Sequence, residues 1–224
     1  MDARRLVDEI RSDLSGTEEE IRTHPFVTAA EAGVASIEAL RGFAGHQHRI
    51  VSSDLRSIAL LIQRFGHTPA RDFLVGVLEG ERTALDRLFV LARRMDMSDA
   101  ELGAYEASAG GFAYAAYMAW QALYGSAAEF VAGILLNFPV WGSNCGRLSR
   151  GLRAHYRFAA EDTAFLDGFA EMPSFEKPAL AIIQDGLDSG VEATDVHRAA
   201  RLFQGYEKMF WDALPMGSAD AAAV

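Results

Sequence analysis

Apolar residues recur along this chain at steps of three and four, the spacing that lines one face of an α-helix. Over residues 36–65, Leu40, Phe43, Gln47, Ile50, Asp54, Ile58 and Leu61 share one face, which predicts a single long helix. Thr68-Pro69 reads as a cap followed by a first-turn proline, opening a helix that runs to about residue 95. Ser98 with Glu101, and Ser126 with Glu129, have the spacing of a capping box, in which each side chain satisfies the other's free backbone N–H. Gly110-Gly111 and Gly125 punctuate the middle, and further helices are expected over 157–171, 174–188 and 193–214. Strand-like alternation and internal repeats are missing, and connections are short. The pattern predicts an all-α protein of seven to nine helices. Residues 1–224 form one domain, and the small residues of 215–224 read as a frayed tail.

Chemistry is sought where a polar side chain interrupts a stripe that should be apolar, because such a group must be hydrogen-bonded or serve a ligand. Phe203, Glu207, Phe210 and Leu214 lie on one face of the last helix. A carboxylate flanked by Phe loses hydration and its pKa rises, which suits proton exchange. The alternative is a glutamate at the stripe edge that reaches solvent or an arginine. Gln47 stands between Phe43 and Ile50, where an amide reads a heterocycle or satisfies buried backbone. His46 and His48 flank it on other sides of the helix and are expected at the surface or just behind the site residues. Tyr114, Tyr117 and Met118 form one side of the helix through residues 112–124, either an aromatic wall for a flat ligand or ordinary core. Phe130, Ile134, Asn137, Trp141 and Asn144 follow one another on the next helix, and Pro139 is expected to kink it.

Composition narrows the function classes. Hydrophobic residues make up 50% of the 224-residue chain, which excludes disorder. The net charge of -10 disfavours phosphate backbones, so no nucleic-acid partner is expected. The apolar stretch from 130 to 141 is about half the roughly 20 residues of a membrane span, and Asn137 and Pro139 interrupt it, so no membrane partner is expected. The opening MDARRLVDEIRSDL lacks the apolar core of a signal peptide, and one cysteine cannot close an internal disulfide; both point to the cytoplasm. None of the six histidines has a glutamate three residues before it, so the Glu-x-x-His of carboxylate-bridged metal sites is missing. Glu79, Glu81 and Asp86 reach a metal only with partners from other helices. No metal and no cofactor is expected.

Three segments resemble one family. His24-Pro25-Phe26-Val27, followed by Gly33 and a long helix, is similar to the opening segment of the TenA/THI-4/PqqC group, which includes thiaminase II and has a heme-oxygenase-like helical fold. Residues 114–141 resemble its central aromatic helix pair. Glu207, Phe210 and Trp211 match its C-terminal E-x-x-F-W. The resemblance implies that Glu207 and Tyr114 are catalytic and that Gln47, Asn137, Trp141, Phe210 and Tyr117 bind substrate. Gln47 stands where the family has an aspartate, Asn137 where it has the nucleophilic cysteine, and Trp141 where it has a tyrosine. Cys145 lies eight residues beyond Asn137, roughly 12 Å along the helix and turned by about 80°, so it is expected to be structural.

The resemblance implies a central pocket for a small aromatic heterocycle of the aminopyrimidine or thiamin-related kind, without a cysteine-dependent thiaminase reaction. The alternatives are a non-catalytic binding or regulatory protein and a metal- or cofactor-dependent oxidase on the same fold. A homo-oligomer, dimer or tetramer, is expected from the family and from aromatics such as Trp120 and Tyr124 that fall on outer positions.

Overall fold

The computed structural model describes residues 2–215, so the remaining tail, 216–224, lies outside the described residues. Among the described residues there are ten helices and no strand: α1 (Ala3–Arg22), α2 (Pro25–Glu31), α3 (Ile37–Phe65), α4 (Arg71–Arg94), α5 (Asp99–Ala104), α6 (Ala109–Tyr124), α7 (Ala127–His155), α8 (Ala164–Ala170), α9 (Glu176–Asp188) and α10 (Ala193–Asp212). Helix α7 is the axis, with α10, α1, α2, α8 and α9 packed on it; α3 packs against α4 and α6, and α6 against α10.

Local chemistry sets the boundaries. Both capping boxes form, with Ser98 and Ser126 accepting from the N–H of Glu101 and Glu129. His24 caps α2: its Nδ1 accepts from Phe26 N at 3.2 Å, and Pro25 occupies the first turn. Two expectations are corrected. Helix α4 starts two residues after Pro69, because Thr68 closes a turn, donating to Phe65 O and accepting from Ala70 N. The helix expected over 157–171 exists only as α8: Arg157 adopts φ +61° and ends α7, and Asp162 ties back to Ala159 N. Pro139 lies inside α7, which runs from Ala127 to His155.

Neither histidine beside Gln47 is exposed. His46 is buried, because Gly111 at the start of α6 has no side chain to hold it away from the ring. The His46 imidazole bonds Gly42 O at 2.8 Å and Ser108 Oγ at 3.2 Å. His48 is half-buried, edge-on to Phe89.

The interior divides into two clusters. One gathers α2, α3, α8 and the C-terminal half of α7 around Phe26, Phe43, Trp141, Phe165, Phe210 and Trp211. The other joins α1, α9 and the N-terminal half of α7 around Ile10, Phe130, Ile183 and Phe203. Tyr114 packs against both. No helix among the described residues is long and apolar enough to cross a membrane.

Candidate functional site

Where the two clusters meet, packing is incomplete. A cavity of about 50 Å³ lies between α3, α4, α6, α7 and α10. Its polar lining is Gln47, Asp54, Glu81, Tyr114, Asn137 and Glu207, and Trp141 and Phe210 contribute aromatic walls. Beside it a groove of about 590 Å³ runs between α4 and the α8–α9 segment. The two spaces share Val77, Glu81, Ile134, Phe138 and Phe169 as walls. The cavity by itself has room for a few water molecules; the groove is in the size range of ligand pockets.

The helix stripes bring Glu207, Tyr114, Gln47, Asn137, Trp141 and Phe210 together around this cavity, although they come from four helices. Tyr117 is the exception and requires correction. Three residues beyond Tyr114, it is turned by about 60° and raised by about 4.5 Å on α6. That places it against α10, 5.1 Å from Phe203 and 4.9 Å from Tyr206 between ring centroids, and its hydroxyl accepts from Gln121 Nε2 at 2.6 Å. It does not line the cavity.

A hydrogen-bonded chain organises the polar lining. Tyr114 donates its hydroxyl to Asn137 Oδ1 at 3.1 Å, and Asn137 Nδ2 donates to Glu207 Oε2. Trp211 Nε1 donates to Glu207 Oε1 at 2.9 Å. Gln204 holds the chain on α7: its Nε2 donates to Leu136 O at 3.0 Å, and its Oε1 faces Asn137 Nδ2 at 3.4 Å. Gln47 is buried on the cavity wall, where its amide can meet a ligand.

Burial dominates the electrostatics. Glu207 is 2% exposed, and loss of hydration pushes its pKa up to about 7, against the opposing pull of the Trp211 and Asn137 hydrogen bonds. Its carboxyl therefore exchanges a proton near neutrality. Tyr114 is pushed well above the usual tyrosine range by burial and by the carboxylates of Asp54, Glu207 and Glu81, so it acts as a neutral donor. Cys145 is fully buried outside the cavity lining, and burial keeps it a thiol.

Two members of the lining were not picked out from the sequence as site residues. Asp54 on α3 and Glu81 on α4 are both buried, and burial together with their mutual repulsion raises the pKa of the pair. The signal was present: Asp54 sits between Ile50 and Ile58 at steps of four, and Glu81 falls seven residues from both Leu74 and Leu88. Among the described residues, no three His, Cys, Asp or Glu side chains gather as a metal-binding group.

Comparison with known proteins gives the same outline. The model of the TENA/THI-4/PQQC family matches residues 11–214. A TenA homologue from Pseudomonas syringae pv. tomato superposes with a TM-score of 0.76 at 16% identity, covering 92% of this chain and 91% of that one. The TenA homologue from P. horikoshii gives 0.75 at 18% identity, with coverage of 92% and 96%. A domain of unknown function with a heme oxygenase-like fold, from Shewanella denitrificans, gives 0.71 at 10% identity, with coverage of 95% and 92%. A search of curated protein sequences finds no match. The fold is the heme-oxygenase-like bundle, and the chain belongs to the TENA/THI-4/PQQC family.

Proposed function

We propose that this protein binds a small aromatic heterocycle of the aminopyrimidine or thiamin-related type in the space that the cavity between the two clusters forms with the adjoining groove, with Glu207 as the group that exchanges a proton with it. The observation that carries the reading is the Glu207 carboxyl: enclosed, gripped by Asn137 and Trp211, and titrating at about 7. A general acid–base group works best when its pKa lies near the working pH. Tyr114 and Gln47 orient the ring, and Trp141 and Phe210 wall its faces.

Asn137 stands where the family resemblance places a nucleophilic cysteine. An amide cannot attack carbon as a thiolate does, and the remaining thiol, Cys145, is buried away from the lining. The reaction therefore proceeds without a cysteine adduct, with Glu207 passing a proton to or from the substrate. The Asn137 substitution also favours a second reading, a family member that keeps the pocket for binding alone. The protein acts in the cytoplasm as a homo-oligomer; Trp120 and Tyr124, 47% and 70% exposed, supply an apolar face for a second copy.

The test pairs mass spectrometry of small molecules co-purifying with the protein with turnover assays on thiamin-related pyrimidines. Glu207→Gln keeps the shape and removes the titrating proton. For the catalytic reading it lowers kcat by about 100-fold or more, the usual worth of a general acid–base group. For the binding reading, no turnover is detected in either protein, and Glu207→Gln weakens only ligands bearing an amino group. Undiminished turnover and undiminished binding would remove Glu207 from both.

A further inference from the structure

The lining of the cavity is unbalanced in charge. Three carboxylates face it, from Asp54, Glu81 and Glu207, and no Lys, Arg or His is among the residues that line it. In the adjoining groove the one basic lining residue, Arg87, is turned to the Ala164 carbonyl at 3.4 Å. The three acids are not equivalent. Both oxygens of Glu207 already accept, from Asn137 and Trp211. Asp54 Oδ1 and Glu81 Oε2 are buried with no hydrogen-bond partner, in residues 3% and 8% exposed. Leaving a buried acceptor unpaired costs roughly 1–3 kcal/mol, and more when it is charged. Without a ligand the pair limits that cost only by holding a proton: the two carboxyls come from neighbouring helices, and no base is among the residues that line the cavity.

We infer that Asp54 and Glu81 form a subsite for a protonated nitrogen group, an ammonium or amidinium, so that the heterocycle bound here carries a positive charge at the end away from Glu207. The inference rests on the reading of this cavity as a ligand pocket and specifies the class of ligand. A cation with several N–H donors supplies what both carboxyls lack. It satisfies the free oxygens, and its charge replaces the proton that the pair otherwise shares. A neutral amide donor gives the hydrogen bonds but leaves the repulsion in place. The position also fits entry. Glu81 lines both the cavity and the groove, so the charged group is met at the threshold and the ring passes inward to Tyr114, Trp141 and Phe210. Specificity follows from the same geometry: a carboxylate- or phosphate-bearing heterocycle meets three acids with no cation between them.

The probes are benzamidine, flat and protonated at neutral pH, and benzamide, its neutral near-isostere. Binding of each is titrated by ligand-observed NMR to the full chain and to Asp54→Asn, Glu81→Gln and Glu207→Gln. The parent is expected to prefer benzamidine about tenfold or more, the worth of a charge-assisted hydrogen bond. Asp54→Asn and Glu81→Gln each reduce that preference to about threefold or less, while Glu207→Gln, which acts on both probes alike, retains it. Both subsite variants replace a buried acid by a neutral isostere, so their thermal midpoints stay level or rise; either one alone reads the same preference if the other does not fold. An undiminished preference in both variants, or its loss in Glu207→Gln instead, overturns the subsite and leaves the pocket reading standing. Displacement of benzamidine by Mg2+ or Mn2+ would assign the carboxylates to a metal and overturns it too. Failure of both probes to bind the parent removes the pocket reading together with the subsite.

Discussion

Asn137 on α7 donates its amide N–H to the carboxylate of Glu207 on α10, seventy residues away in the chain. The same side chain accepts the Tyr114 hydroxyl at 3.1 Å, so one amide links the phenol on α6 to the acid on α10. Removing it exposes what each bond does. In Asn137→Ala, Glu207 loses one of the two donors that oppose its desolvation, and the Tyr114 hydroxyl loses its acceptor. The Glu207 pKa is expected to climb above about 7, and stability to fall by roughly 1–3 kcal/mol, the cost of stranded buried polar groups. Carboxyl-carbon NMR titration reads the first and urea unfolding the second. A Glu207 pKa that falls in this variant contradicts the assignment of the bond.

The raised pKa of Glu207 has a consequence for stability against pH, and its sign is fixed. The folded chain holds the Glu207 proton up to about pH 7, whereas the unfolded chain releases it near its ordinary value of 4.5. Between those values the native state binds more protons, so stability falls as pH rises, by an amount of order 3 kcal/mol across the window. The Asp54–Glu81 pair acts in the same direction. His24, whose pKa is lowered by burial, acts in the opposite direction, because its unfolded form holds the proton longer. The difference between parent and Glu207→Gln isolates the one group. Urea unfolding from pH 5 to pH 8 is expected to show a flatter decline in Glu207→Gln than in the parent, and parallel curves contradict the burial of a neutral acid.

How far the sequence reached follows from the range of each interaction. Periodicity and capping are local, and they located α3, α10, the start of α7 and both capping boxes to within a few residues. Stripe interruptions then pointed to Glu207, Gln47 and Asn137, because a polar residue between two apolar positions of one helix face is visible within a turn or two. What failed was decided by neighbours in space. Tyr117 lies beside Tyr114 on a helical wheel, but α10 takes it into another contact. Position on α3 allows His46 either at the surface or behind the site, and only the crossing of α6 at Gly111 decides that it is buried. Asp54 and Glu81 each interrupt a stripe, yet only their mutual burial across α3 and α4 sets them apart from ordinary surface acids.

Cys145 offers a check on the two-cluster arrangement. It is fully enclosed in the cluster around Phe43 and Trp211, and burial raises its pKa well above the ordinary value. Thiolate is the species that reacts, so disulfide reagents are expected to leave the native protein unmodified and to label one thiol per chain in denaturant. Cys145→Ser puts a hydroxyl into an apolar site and costs roughly 1–3 kcal/mol, with ligand binding as in the parent. Rapid labelling of the folded protein contradicts this burial.

Helix α2 meets α7 at a distance that only glycine permits. A Cβ at Gly151 would collide with the carbonyl oxygen of Ala30 and lie 2.6 Å from the Cα of Glu31. Both are backbone atoms, so no rotamer change relieves the clash, and α2 has to move off the helix. That movement strains a set of anchors that hold the chain before and after α2 to α7: Asn144 donates to Ile21 O at 3.0 Å, Arg147 pairs with Glu31 at 2.7 Å, and Tyr156 donates to Ala35 O at 2.8 Å. Gly151→Ala is therefore expected to destabilise by about 1–3 kcal/mol or more, although alanine is the better helix former. Gly16 in α1 is the control: a Cβ there meets nothing within 4 Å, and Gly16→Ala is expected to gain up to about 1 kcal/mol. Urea unfolding of the two variants reads the difference directly. Because neither glycine lines the cavity, benzamidine binding to whatever fraction of Gly151→Ala is folded should match the parent, and equal stabilities for the two variants would show that α2 does not press on α7 as described.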